Sequence, residues 1–347
     1  MTRLTLRGRI ALAAVKRTLP ARMTADAVRD LPDGLHAAVA GSGSPLPDPK
    51  RGNPCVAVVA GRRVFVVDAG ERASETLNRM GIGPEHIEAV LLTHFHSDHI
   101  GGLGSLAIQR WAAATAQEPM RVLGPPGVDR VVAGLNEAYA LDSGYRTAHH
   151  GEAVIPAAGA GMAAEPFRIP EGRDSVIVLQ DDEVTVTAFT VDHAPAAPAV
   201  GFRFDHRGRS LVISGDTAKS PVVATHARGV DLLIHDALSV PLLGLVEDAA
   251  RAAGLANRAK ILSDLPGYHA SPEEAADTAR EAGAKALVLT HIVPPLPIKA
   301  LEGPFLGDAA ERFAGPIWIA RDGDLYSLPA AGGPATRTSL FRRGPAG

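Results

Sequence analysis

Residues 91–102 read LLTHFHSDHIGG, and this stretch decides the fold. The apolar residues before Thr93 predict a β-strand that leads directly into His94, His96, Asp98 and His99. His94 and His96 would share one face of a continuing strand, because side chains repeat every two residues. Asp98 and His99 cannot both share that face, so the chain must turn. Ser97-Asp98 is suited to the N-cap of a following helix, and Gly101-Gly102 would allow close backbone approach.

Three histidines and an aspartate within six residues favour a metal site over a strand end with surface histidines. Neutral imidazoles suit zinc, and a carboxylate completes such a site. Cys55 is the only cysteine, so a cysteine-based zinc site is excluded, and its apolar surroundings predict a buried position. Three more candidate ligands each follow an apolar run: His193, Asp216 and His291. Five histidines and two aspartates are enough for two metal ions with a shared carboxylate.

The rest of the chain alternates strand and helix patterns. Strands are predicted at residues 35–40, 55–60, 63–67, 89–93, 175–179, 183–191, 200–205, 210–214, 231–235, 286–290, 316–320 and 325–328. Helices are predicted at residues 73–80, 104–114, 128–140 and 272–282, whereas 151–174 is interpreted as a loop or irregular cap. Two β-rich halves with interspersed helices predict an α/β fold, a sandwich of two sheets with helices outside.

The predicted domain organisation has one large domain, residues 35–330. Residues 1–34 form an N-terminal extension that ends at the Pro32-Asp33-Gly34 turn, and residues 331–347 form a loose tail. Residues 238–268 form an apolar insertion with helical tendency, interpreted as a lid. A dimer contact or ordinary packing is the alternative for this insertion.

Composition limits the partners and the location of the protein. The formal net charge is −3, which gives no strongly basic surface for nucleic acid, and 46% of residues are hydrophobic. No apolar run reaches the roughly 18 residues of a membrane span, so a cytoplasmic location is predicted. The basic N-terminal segment around residues 10–15 leaves export or association with a membrane surface open. A surface helix or a frayed arm is the other interpretation of this segment.

The ordered motifs resemble the metallo-β-lactamase superfamily, and within it the ribonuclease Z-like and arylsulfatase-like branch. The resemblance runs from about residue 34 to about residue 320 and is carried by HFHSDH (94–99), GSGSP (41–45), FVVDAG (65–70), SGDT (214–217), IHDA (234–237), YHASPEEA (268–275) and LTH (289–291). It implies an αββα four-layer sandwich with the site at one edge between the sheets. It also implies two Zn²⁺ ions, one bound by His94, His96 and His193, the other by Asp98, His99 and His291, with Asp216 bridging. Mn²⁺ or Fe²⁺ could occupy the same ligands.

The resemblance also implies a mechanism. Two Zn²⁺ ions roughly 3.5–4 Å apart would lower the pKa of a shared water to about neutral, and the resulting hydroxide would attack the ester. His269 matches the family's catalytic histidine and is the expected proton donor, oriented by Asp236, where ribonuclease Z more often has Glu. The predicted catalytic residues are therefore Asp98, His269 and Asp236.

Four further residues receive weaker interpretations. Asp68 is expected to contact a metal ligand rather than to bind the metal itself. His149 and His150 either reach the substrate or form a solvated pair. His235 is expected in the core or behind a ligand.

A phosphodiester is the leading substrate, and an aryl sulfate or a lactone is the alternative. A small-molecule ester is expected, because residues 238–268 could form an apolar pocket. Transfer RNA is doubtful, because only 22 residues separate His193 from Asp216, which leaves no room for a tRNA-gripping arm. A net charge near zero also argues against tRNA, because binding to a phosphate backbone needs a cationic surface. A non-catalytic metal-binding domain is the alternative from another class. The oligomeric state stays open, with a homodimer as one option.

Overall fold

Two β-sheets pack face to face, and helices cover both outer sides. The computed structural model describes residues 5–23, 26–114 and 116–341. The helices are α1 Leu6–Met23, α2 Ala27–Asp30, α3 Ala73–Met80, α4 Ser97–Ile100, α5 Leu103–Ala114, α6 Val128–His150, α7 Pro221–His226, α8 Val240–Ala252, α9 Ala256–Asp264, α10 Pro272–Ala282, α11 Glu302–Leu306 and α12 Ala309–Arg312. The strands are β1 Gly34–Gly41, β2 Cys55–Ala60, β3 Arg63–Val67, β4 Ile87–Leu91, β5 Met120–Gly124, β6 Met162–Pro166, β7 Ser175–Gln180, β8 Val184–Thr190, β9 Val200–His206, β10 Arg209–Ile213, β11 Leu232–Leu238, β12 Leu287–Val293, β13 Ile317–Ile319, β14 Asp324–Pro329 and β15 Thr336–Ser339.

The order of the strands places one group of carboxyl ends together. The first sheet has the order β15-β14-β1-β2-β3-β4-β5-β6, and the second has β13-β12-β11-β10-β9-β8-β7. Strands β3 to β6 are parallel to one another, as are β10 to β13. The residues that follow parallel strands collect at one edge of a sheet. Asp68, His94, Asp216 and His291 all lie at or just beyond such carboxyl ends.

The inner faces of the two sheets form the central core. Phe65 and Leu91 of the first sheet and Phe202, Phe204 and Ile234 of the second are buried in one cluster. Each fully buried side chain of this size contributes about 1.5–3 kcal/mol. A second cluster lies between the first sheet and helices α3, α5 and α6, and a third between the second sheet and helices α7, α10 and α12. The predicted sandwich of two sheets with outer helices is confirmed.

Several segments differ from their sequence-based predictions, and three of them have a clear physical reason. Strand β6 lies in the predicted loop 151–174. Its short sequence, MAAEP, lacks the alternation of apolar and polar residues that is typical of a strand, and it is extended because it pairs in parallel with β5. Helix α6 continues ten residues beyond residue 140, and none of the added residues is buried, so no apolar periodicity marks them. In the region predicted as a tail, β15 pairs with β14, and residues 342–347 lie outside the described residues.

The predicted insertion, residues 238–268, contains helices α8 and α9. They pack on Leu238 and Val293 in a cluster that also includes Leu46 and Tyr268. Their role as a lid stays a prediction. Within residues 5–23, 26–114 and 116–341, no helix is both long enough and apolar enough to cross a membrane.

Candidate metal centre

The first four candidate ligands lie where β4 leads into helix α4. His96 is the N-cap residue, so Ser97 and Asp98 occupy the first turn instead of the predicted cap position. An aspartate in a first turn interacts favourably with the helix dipole. The chain passes very close to the loop after β3 at this point, since a Cβ added at Gly102 would lie only 2.1 Å from the Gly70 carbonyl oxygen. Glycine at position 102 therefore lets the loop after β3 touch the loop after β4, as its place in the sequence predicted.

His94, His96, His193 and Asp216 form the first group of candidate ligands. His96 Nδ1 lies 2.9 Å from His94 Nε2 and 3.2 Å from His193 Nε2. Asp216 Oδ2 lies 4.0 Å from His94 Nε2 and 3.9 Å from His193 Nε2. A tetrahedral zinc with bonds of about 2.0–2.1 Å separates two ligand nitrogens by roughly 3.4 Å. The group therefore has the composition and the approximate spacing of a zinc site.

Asp98, His99 and His291 form the second group. Asp98 Oδ2 lies 3.5 Å from His99 Nε2 and 3.3 Å from His291 Nε2. Asp216 Oδ2 lies 3.2 Å from His99 Nε2 and 3.1 Å from His291 Nε2, so the same oxygen faces both groups. The structure thus brings together all seven residues that the sequence nominated as ligands.

The backbone of β12 is distorted at His291. Thr290 pairs with Asp236 and Ile292 with Ala237, which leaves His291 as an extra residue in the ladder. Its φ is 49°, a left-handed conformation that is uncommon outside glycine. Such a bulge redirects a side chain at the end of a strand. It turns His291 towards Asp98 and Asp216, and Nδ1 of this buried ring has no hydrogen-bond partner among the described residues.

Two ligands are oriented by hydrogen bonds to their second ring nitrogen. His99 Nδ1 lies 2.8 Å from Asp68 Oδ2, and His193 Nδ1 lies 3.0 Å from the Tyr268 carbonyl oxygen. Asp68 also accepts hydrogen bonds from the backbone N–H and the hydroxyl of Thr93, at 2.9 and 2.8 Å. These contacts fix the tautomer and ring orientation of a ligand. Sequence reasoning missed Thr93 and Tyr268, although each directly precedes a nominated histidine.

Burial and neighbouring charges divide the histidines into two classes. Burial lowers the pKa of His94, His96 and His193, which favours the neutral form that binds metals. For His99, burial would lower the pKa, but the carboxylates of Asp216 and Asp68 raise it well above its usual value. Asp216 shows the reciprocal effect, since His291 and His99 hold its pKa well below the usual range despite burial.

His269 lies beside this cluster and is paired with Asp236. The two residues are buried, and His269 Nδ1 lies 2.9 Å from Asp236 Oδ2. The His269 ring stacks on His291 with centroids 5.0 Å apart. His269, Asp216 and His291 are also close enough to form a third group of candidate ligands. The geometry is therefore compatible with His269 as a proton donor or as a ligand.

The remaining nominated histidines lie elsewhere. His149 and His150 are exposed in the last turn of α6 and contact each other, with ring centroids 5.0 Å apart. His235 is fully buried on β11, and its Nδ1 donates to the Asp236 carbonyl oxygen. It thus lies behind Asp236. Cys55 is buried in β2, as predicted.

Two packed sheets with outer helices, and a buried His/Asp cluster at the carboxyl ends of parallel strands, define a hydrolase of the metallo-β-lactamase fold. The chain belongs to the β-lactamase superfamily: the model of the Beta-lactamase superfamily domain matches residues 63–292. The chain is 36% identical to ribonuclease Z of Mycolicibacterium gilvum (strain PYR-GCK) over 290 residues, which cover 83% of this chain and 94% of that protein. The resemblance drawn from the motifs is confirmed.

Solved structures show the same fold. The metallo-beta-lactamase fold protein YhfI from Bacillus subtilis superposes with a TM-score of 0.61 at 19% identity, covering 84% of this chain and 99% of that one. The short form of human tRNase Z has a TM-score of 0.59 at 22% identity, covering 85% and 99%.

The expectation of a small-molecule ester was wrong, and so was the doubt about tRNA. The relatives that match most of this chain's length are named ribonuclease Z. The two arguments against RNA used the net charge of the whole chain and the length of one interval, from His193 to Asp216. A net charge of −3 averages over the surface and does not report the local potential that an RNA backbone meets. The lack of one gripping arm removes one contact surface without removing the others.

Proposed function

We propose that this protein hydrolyses phosphodiester bonds in RNA, with precursor tRNA as the substrate class, and that it uses two metal ions, Zn²⁺ in the first place. One observation carries the proposal. Six candidate ligands converge around a seventh, Asp216, in a chain 36% identical to a ribonuclease Z over 83% of its length.

The chemistry of the ligands supports a bound metal. Six of the seven candidate ligands are buried and His96 is exposed, and their imidazole nitrogens and carboxylate oxygens face one another at 2.9–4.0 Å. Nδ1 of His99 is hydrogen-bonded to Asp68, and Nδ1 of His193 to the Tyr268 carbonyl oxygen. The neutral rings therefore turn acceptor Nε2 atoms towards the carboxylates, an arrangement that a cation would satisfy. Five imidazoles and two carboxylates match the preferences of Zn²⁺, and of Mn²⁺ or Fe²⁺. Metal ions bound here would lower the pKa of a water molecule and neutralise charge on phosphate oxygens.

The chain's own residues would then hold the metal ions and protonate the leaving oxygen. His94, His96 and His193 would hold one ion, and Asp98, His99 and His291 the other, with Asp216 shared. Because Asp236 accepts the Nδ1 proton of His269, the Nε2 atom of His269 is left to face the substrate. In this proposal Nε2 donates a proton to the leaving oxygen, and Asp236 stabilises the charged imidazolium that precedes this transfer. Burial of both residues keeps bulk water away from the transfer.

Cleavage of precursor tRNA by the purified full chain tests the proposal. Metal content is measured by mass spectrometry, and activity is measured before chelation, after chelation and after zinc is restored. We expect about two metals per chain and cleavage that depends on them. A protein that holds its metals and leaves RNA intact would refute the proposal.

Paired variants test the assigned roles. Changing His269 to Ala should lower kcat by about 10²–10⁴-fold while metal content is unchanged, since a general acid contributes roughly that much. Asp236→Asn should lower kcat in the same direction, also without loss of metal. Asp216→Asn should lose metal itself. If His269→Ala loses metal like Asp216→Asn, His269 is a ligand and the donor assignment is wrong.

A further inference from the structure

Helix α1, Leu6–Met23, combines exposure with a single sign of charge. Its side chains Arg7, Arg9, Lys16 and Arg17 are all exposed, and the helix contains no acidic residue. None of these four side chains forms an ion pair with another described residue. Their charges are therefore available to an anionic partner.

This charge is opposite to that of the rest of the chain. Residues 1–23 hold six Arg or Lys and no Asp or Glu. The whole chain holds 35 Arg or Lys and 38 Asp or Glu, so the remaining residues hold 29 and 38, a formal charge of −9. A net charge of −3 thus conceals a cationic helix joined to an anionic domain. An anionic domain that cleaves an anionic polymer needs such a local cationic surface to attract it.

The pattern of side chains favours nucleic acid over a lipid surface. A membrane-surface helix segregates its apolar residues on one face. In α1 the exposed apolar residues Leu6 and Val15 lie nine residues apart, on opposite sides of the helix at about 100° per residue. Arg17 lies within about 20° of Leu6 around the same helix. Charges and apolar residues are therefore mixed, which suits contacts with phosphates and not insertion into a bilayer.

We propose that helix α1 is a phosphate-binding arm that holds the RNA substrate of this enzyme. The inference rests on the proposed function, since it assigns to α1 part of the binding of the same RNA. It gives the chain a gripping element although only the short β9–β10 hairpin separates His193 from Asp216. An 18-residue helix is about 27 Å long, enough to meet several phosphates.

A fourfold variant tests this arm: Arg7→Gln, Arg9→Gln, Lys16→Gln and Arg17→Gln in the full chain. Its cleavage of precursor tRNA is compared with that of the wild type at 50 to 200 mM salt. We expect KM to rise about tenfold or more and kcat to stay unchanged, because phosphate contacts contribute binding without contacting the reacting atoms. The slope of log KM against log salt should fall by up to about 3.6, since each of the four phosphate contacts contributes roughly 0.9.

A matched control removes the same charge elsewhere. Arg62, Arg168, Arg173 and Arg228 are exposed, and no described residue forms an ion pair with them. Changing these four to Gln should leave KM and the salt slope close to wild type. Equal effects from the two fourfold variants would show a general charge effect and overturn the assignment to α1.

Two further measurements separate the remaining outcomes. Cleavage of an RNA dinucleotide, which offers one phosphodiester to the metal centre and no further phosphate to α1, should be equal in the wild type and the α1 variant. If the wild type cleaves neither RNA, the proposed function is wrong. If the wild type and the α1 variant cleave precursor tRNA equally well, only the assignment of α1 as an arm is wrong. Flotation with phosphatidylglycerol vesicles tests the lipid alternative. Vesicle binding that depends on the four cations, with KM for RNA unchanged, would replace RNA by a membrane as the partner.

Discussion

Changing Asp68 to Asn is expected to weaken metal binding although Asp68 is not among the seven candidate ligands. The side chain is 5% exposed and lies 2.8 Å from His99 Nδ1. It also accepts two hydrogen bonds from Thr93. The carboxylate therefore fixes the ring so that Nε2 of His99 faces Asp98 and Asp216. An amide at position 68 could accept from Thr93 but would place its own N–H groups against the remaining donors.

The size of the effect follows from this geometry. Loss of a partner that orients a metal-binding histidine costs about 10–100-fold in metal affinity, or about 1.4–2.7 kcal/mol. A buried donor left without an acceptor costs the metal-free fold about a further 1–3 kcal/mol. The variant should also change the number of protons that are released when a metal binds. Asp216 and Asp68 raise the pKa of His99 well above its usual value, which favours the protonated imidazolium in the metal-free wild type. That proton must leave when a metal binds, and Asp68→Asn should release fewer protons.

Zinc affinity is measured by competition with a chelator, and proton release by calorimetry at pH 7 in buffers of different ionisation enthalpy. Asp231→Asn is the matched control, because its carboxylate is buried and accepts from Ser210 N and Lys285 Nζ at the opposite end of β11. It should lower the free energy of unfolding without changing zinc affinity. If Asp68→Asn binds zinc within about twofold of wild type and releases the same number of protons, Asp68 does not orient His99.

Two other predictions concern the metal-free fold. Gly102→Ala should lower the free energy of unfolding by about 1–3 kcal/mol or more, because its Cβ would lie 2.1 Å from the Gly70 carbonyl oxygen. In urea denaturation Gly134→Ala is the control; the site is open and helical, so equal losses would contradict the steric reason. Burial lowers the folded-state pKa of His94, so below the unfolded value of about 6.5 the unfolded chain binds a proton that the folded chain does not. Stability of the chelated protein should therefore fall from pH 6.5 to 5, and His94→Gln should reduce that slope by about 1.4 kcal/mol per pH unit; an unchanged slope would exclude His94 as a source.

Most of the sandwich could be predicted from the sequence because its strands bury both faces or alternate regularly. Strands β2 and β3 are continuous apolar runs bounded by turn residues, and both were located to the residue. Strand β6 could not be predicted, because MAAEP contains little apolar surface and becomes a strand only by pairing with β5. The end of α6 was also missed, because its last ten residues are not buried and leave no periodic trace.

The candidate metal centre divides in the same way. The sequence by itself identified all seven candidate ligands but determined the proximity of only four, because His94, His96, Asp98 and His99 lie within six residues and local backbone geometry must bring them near one another. Only the tertiary structure decided that Asp216 Oδ2 faces both His99 and His291, at 3.2 and 3.1 Å. It also decided that a bulge at His291 redirects that ring and that Asp68 lies behind His99. These contacts join residues from both sheets, and their geometry is set by strand order and sheet packing, which no local sequence pattern encodes.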